Sequence, residues 1–142
     1  MFGLFKSKKK AGERKKLILV VDDEPDYLST IQCRLEWSHY KVITASNGEE
    51  GLEKAISEKP DLVLLDTNMP VMNGYEMLER LRRHPEIKDI PIIMVTALCE
   101  AKDIATASAY RVADYVAKPF DVTELVEKIS NALENKKTLH SV

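Results

Sequence analysis

Short apolar runs, each stopped by a residue that carries chemistry, constrain this chain more than any other feature. Leu17–Val21 (LILVV) runs into Asp22 and Asp23, Leu62–Leu65 into Asp66, and Ile92–Val95 into Thr96; a further short segment, Asp114–Ala117, runs into Lys118. Runs of four or five residues are short for a helix and suit a strand. They are continuous rather than alternating, so these strands are buried on both faces, as in a parallel sheet covered by helices.

The intervening segments read as those helices. Pro25 fits a first helical turn, and Leu28, Ile31 and Leu35 follow at helical spacing. Lys41–Thr44 is a second strand, and Asn47 with Glu50 forms a capping-box pattern ahead of Leu52, Ala55 and Ile56. A loop with Met69-Pro70 and Asn73-Gly74 leads to a helix carrying Met77, Leu78 and Leu81, which His84-Pro85 ends. An alanine-rich stretch from about Ala101 to Ala113 reads as a helix with a weak apolar face. Asp121 with Glu124 repeats the capping pattern before Val122, Leu125, Val126, Ile129 and Leu133. Trp37 falls on a helical face and is expected to pack. Five strands alternating with five helices predict an α/β fold: a five-stranded parallel sheet with helices on both faces.

With 142 residues, 44% of them hydrophobic and 31% charged, the chain has the material for one ordinary domain. The expected division is a basic flexible tail over 1–16, a domain over 17–135 and a short C-terminal tail over 136–142. Residues 1–16 hold seven lysines and arginines against one glutamate, a net +6; with a total of −2, the remainder carries −8. A solvated tail is the first reading. Contact of Met1–Phe5 and the lysines with an anionic membrane, and contact with nucleic acid, are the others. The longest apolar run is far too short to span a bilayer, and Cys33 and Cys99 form neither a metal spacing nor a disulfide framework. A reducing, cytoplasmic compartment is therefore expected.

In a sheet of this kind the functional crevice lies at the carboxyl ends of the strands. The residues delivered there are Asp22, Asp23, Asp66, Thr96 and Lys118. Clustered carboxylates repel unless a cation intervenes, and an all-oxygen set suits Mg²⁺, which favours one or two carboxylates with waters and phosphate oxygens. Lys118 would neutralise an incoming anion and Thr96 would donate a hydrogen bond to it. The set suits Mg²⁺-assisted phosphoryl transfer with Asp66 as nucleophile and the adjacent acid pair holding the metal and its waters.

The stretches LILVVDDEP (17–25), LVLLDTNMPVMNG (62–74), PIIMVTA (91–97) and ADYVAKPF (113–120) resemble the response-regulator receiver domain of two-component signalling. Four separated motifs agree in order and spacing over residues 17 to about 135. The resemblance implies a flavodoxin-like (βα)5 fold with Asp66 as the phosphoacceptor. It implies that Asp23, Asp66 and the backbone carbonyl of Asn68 ligate Mg²⁺, with Asp22 acting through a metal-bound water. Thr96 would be the switch hydroxyl and Tyr115 the aromatic switch partner. Ala97 would be the small residue beside the phosphate, Lys118 would pair with the phosphoryl oxygens, and the Lys118–Pro119 bond beside the phosphate would be cis. The basic N-terminal extension is not part of the family pattern.

The implied function is a stand-alone response regulator that takes a phosphoryl group from a sensor histidine kinase or phosphotransfer protein and catalyses no other chemistry. Monomer or weak dimer is expected. So few residues follow Asn135 that no DNA-binding domain is expected, and output would pass through an unidentified protein target. The alternative is a degenerate receiver used only for docking, against which the complete acid, threonine and lysine set argues. A phosphohydrolase would want a second acid two residues after the nucleophile, where Asn68 stands, and no phosphate-cradling glycine loop marks a nucleotide site.

Overall fold

The computed structural model describes residues 14–67, 69, 72–96 and 109–141, with backbone alone for 136–141. Five strands, β1 (Leu17–Val21), β2 (Lys41–Ala45), β3 (Leu62–Asp66), β4 (Ile92–Thr96) and β5 (Asp114–Ala117), form one sheet in the order β2-β1-β3-β4-β5. Every pairing is parallel. Four helices are described: α1 (Pro25–Trp37), α2 (Gly48–Glu58), α3 (Gly74–Arg83) and α4 (Val122–Ser141). Most of the alanine-rich segment, residues 101–108, lies outside the described residues. Ala109 and Tyr110 are helical, and Arg111 adopts a left-handed φ of 57°. That turn stops helical backbone before Val112 and Ala113, which the alanine pattern had included.

The three central strands are buried along their whole length, which is why they read as unbroken apolar runs. The edge strands β2 and β5 are only partly buried. Side chains of a strand point alternately to opposite faces, so each run feeds two cores. Ile18, Val20, Leu62, Leu64, Ile93 and Val116 pack with Ile31 and Leu35 of α1 and Leu125, Ile129 and Ala132 of α4. Leu19, Val21, Val63, Leu65, Ile92 and Met94 pack on the other face with Ala55 of α2 and Met77, Leu78 and Leu81 of α3. Burying a side chain of this size contributes about 1.5–3 kcal/mol.

The helix starts follow local chemistry, with two departures from the expected pattern. Asn47 caps α2 by accepting from the Glu50 N–H at 2.8 Å, but the Glu50 carboxylate reaches back to the Ser46 N–H instead of that of Asn47. The reciprocal capping box is complete at Asn73 and Glu76, at the start of α3. At α4, Asp121 accepts from the Thr123 N–H at 2.8 Å. Trp37 does not pack: it is 82% exposed at the last residue of α1, two positions after buried Leu35 and so on the opposite side of the helix from the face that Ile31 and Leu35 bury.

Candidate functional site

The strand order reverses between β1 and β3, because β2 lies outside β1 while β3 to β5 continue the other way. Such a switch point opens a crevice at the carboxyl ends of the strands. Register then fixes what lines it. Val21 pairs with Leu65, so Asp22 and Asp66 leave adjacent strands at the same level. Asp66 pairs with Val95 and Thr96 with Ala117, which brings Thr96 and Lys118 to the same rim. Backbone bonds close the rim: the Thr67 N–H donates to Val95 at 3.0 Å and the Lys118 N–H to Thr96 at 2.7 Å.

Asp22, Asp23 and Asp66 place one carboxylate oxygen each within 4.8 Å of one another. Asp22 and Asp66 are buried and Asp23 is exposed. Asp22 uses one oxygen to accept from the Glu24 N–H at 3.0 Å and the other to accept from Lys118 Nζ at 2.9 Å. Lys118 Nζ also lies 3.6 Å from Asp66 and 3.7 Å from Glu24. Burial opposes the charge on Lys118, but the bond to Asp22 and the fields of Asp66, Asp22 and Glu24 outweigh it and raise the ammonium pKa. One lysine among these acids leaves excess negative charge in a partly dry crevice, and a hard divalent cation with oxygen ligands fits that donor set.

Thr96 is buried at the end of β4. Tyr115 is half-buried on the neighbouring strand, opposite Met94, and packs with the core on the α2 and α3 face. Thr96 is two residues beyond Met94, so the two proposed switch residues share one face of the sheet. The Lys118–Pro119 peptide bond is cis, as expected. Asn68, Ala97 and Cys99 lie outside the described residues, as does the Met1–Phe5 segment with its lysines. His39 is exposed, and His84 is half-buried and accepts from the Glu86 N–H through Nδ1.

Sequence reasoning missed Tyr27, whose ring centroid lies 4.3 Å from Lys118 Nζ. Burial, and then the charges of Asp22, Asp66 and Glu24, push its phenol pKa far up. Its helical spacing resembled that of any packing residue; only the first-turn position directly after the acid pair hinted at the site. Gly74, expected in the loop before the third helix, is that helix's first residue and lies against the backbone of Asp66 and Thr67.

No helix among the described residues is long and apolar enough to cross a membrane. In comparisons with known proteins, residues 18–130 match the family model described as the response regulator receiver domain. The chain is 45% identical over 120 residues to the probable transcriptional regulator ycf27 of Pyropia yezoensis, covering 84% of this chain and 48% of that protein. It is 36% identical over 112 residues to the DNA-binding dual master transcriptional regulator RpaA of Synechocystis sp., covering 79% of this chain and 46% of that protein. Among solved structures, a CheY-like response regulator receiver domain protein from Methanospirillum hungatei superposes with a TM-score of 0.81 at 31% identity, over 88% of this chain and 98% of that one. The fold is accordingly flavodoxin-like.

The chain spans about half the length of the curated relatives it matches. This corrects the expectation that output excludes a DNA-binding domain and runs only through an unidentified protein target, since the relatives are transcriptional regulators and one is named as DNA-binding. The physical reason is that a self-contained domain buries its own core, so its sequence carries no record of the output module it serves. The matched family model and the ordered convergence of Asp22, Asp23, Asp66, Thr96 and Lys118 lead to one assignment: this chain belongs to the response regulator receiver domain family of two-component signalling.

Proposed function

We propose that the chain accepts a phosphoryl group on Asp66 from the phosphohistidine of a sensor kinase, and that this acyl phosphate switches its contacts with other molecules. The observation that carries the reading is the meeting of three carboxylates and one ammonium at the switch point of the sheet. Asp66 is the nucleophile: it is buried, it ends β3, and it has Lys118 at 3.6 Å to accompany the charge that moves onto the phosphoryl oxygens. Asp23, Asp66 and the Asn68 carbonyl would hold Mg²⁺, while Asp22, with both oxygens already bonded, would act through water. When bound, the cation supplies charge neutralisation for the transferring group. Thr96 would then turn toward the phosphoryl group and Tyr115 would follow along the same sheet face. The chain promotes only its own phosphorylation and dephosphorylation, in a reducing cytoplasmic compartment that suits the free, exposed Cys33.

Intact mass after incubation with acetyl phosphate and Mg²⁺ tests this. One added phosphoryl group, absent in Asp66→Asn and absent with a chelator, is the expected result. No addition, together with no Mg²⁺-dependent binding of a fluoroberyllate analogue, favours the docking-module alternative.

A further inference from the structure

The ammonium of Lys118 is held by four groups. Asp22 and Asp66 belong to the acidic cluster, and Glu24 is a largely exposed side chain at 3.7 Å. The fourth is the ring of Tyr27, with Nζ 4.3 Å from its centroid. This ring is itself fixed: Phe120 meets it edge to face, with centroids 6.0 Å apart and an interplanar angle of 86°. Both aromatics pack against the core that α1 and α4 share. Phe120 lies two residues after Lys118, and Tyr27 sits in the first two turns of α1, just after the acid pair. One aromatic pair therefore ties the segment that carries the ammonium to the helix that follows Asp22 and Asp23.

We propose that Tyr27 is a positioning residue for Lys118, holding the ammonium over its π face in line with the phosphoryl group arriving at Asp66. The proposal rests on the phosphoacceptor reading above. A neutral ring attracts the ammonium electrostatically without competing for a metal ion or for the phosphoryl group. The carboxylates differ, because Asp22 and Asp66 change partners when cation and phosphoryl group enter. The ring's hold persists through that exchange, so Lys118 stays where the developing charge appears. The face of the ring, and not its hydroxyl, makes the contact; this separates the role from simple packing.

The test uses the full chain with Tyr27→Phe, which keeps the ring, and Tyr27→Leu, which keeps apolar bulk without a π face. The rate of Mg²⁺-dependent phosphorylation is measured against acetyl phosphate concentration, and the Lys118 side-chain methylene resonances are followed by NMR without donor. Expected are upfield-shifted Lys118 signals in wild type and Tyr27→Phe but not in Tyr27→Leu. The maximal phosphorylation rate is expected to fall about fivefold in Tyr27→Leu only, with the half-saturating donor concentration little changed. Equal rates for wild type and Tyr27→Leu, or a Tyr27→Phe variant as slow as Tyr27→Leu, overturn the positioning role. A wild type that takes no phosphoryl group overturns the phosphoacceptor reading and this role with it, and the NMR shifts then show that the ring contact itself was not at fault.

Discussion

A side chain on Gly74 would overlap the backbone carbonyl oxygen of Asp66, with Thr67 Cα 2.9 Å from the added carbon. The obstacle is backbone at the end of a central strand, which has no rotamer to escape into. Gly74→Ala should therefore destabilise the fold by about 1–3 kcal/mol in urea unfolding. It should also slow phosphorylation more than an equally destabilising change in the α4 core, such as Ile129→Val.

Arg82 spends its guanidinium on backbone carbonyls. It donates to the carbonyls of Tyr110 at 2.7 Å, Lys88 at 2.8 Å, Ile90 at 2.7 Å and Arg111 at 3.1 Å. Burial and the nearby Arg111 push its pKa down to about 10. Arg82→Met leaves those acceptors without their donor and should cost about 2 kcal/mol in chemical denaturation. Arg82→Lys should recover less than half of this, because one ammonium cannot reproduce the planar fork.

The three carboxylates of the cluster repel one another when no cation is bound. In chelator, Asp23→Asn should raise the melting temperature above that of wild type, because it removes one charge from the cluster. With Mg²⁺ the order should reverse, since the wild type gains binding energy that the variant has lost. Calorimetry with and without Mg²⁺ checks both signs.

Glu50 supplies a pH dependence of known sign. The Ser46 backbone bond, then the Ser46 hydroxyl bond and the Lys54 ammonium, hold its carboxyl below the ordinary value of 4.5 despite some burial. A depressed folded pKa means that this stabilisation is present above 4.5 and is lost as pH falls through the folded value. The stability gap between wild type and Glu50→Gln should be widest near neutrality and should close as pH falls below 4.5 through the folded value, as followed by urea midpoints across pH.

Trp37 is the single tryptophan and is 82% exposed. Trp37→Lys should leave stability unchanged within about 0.5 kcal/mol, checked by the circular-dichroism melting curve.

Much of this molecule was legible before its structure. Runs such as LVLLD specify a strand buried on both sides, because a chain avoids exposing unbroken apolar surface and cannot bury it without two covering layers. The acids, Thr96 and Lys118 could be placed because their positions are local: each ends a strand, and parallel strands present their ends on one rim. The exposure of Trp37 was there in the spacing, two residues past Leu35 and so on the far side of α1, against the expectation that it packs. The site role of Tyr27 could not be read in this way, because periodicity places a residue on a helix face but does not say which distant side chain meets it. The reach of Arg82 to carbonyls 28 and 29 residues away is likewise invisible in the sequence.

The sequence alone, then, determined the alternation of strands and helices, the strand-end chemistry and the family, since these depend on local spacing and on burial that every strand must satisfy. The tertiary structure decided the spatial strand order that opens the crevice between Asp22 and Asp66 and the ring that sits over Lys118. It also decided the backbone that closes on Gly74. These are contacts between distant segments, fixed by how whole elements pack against one another.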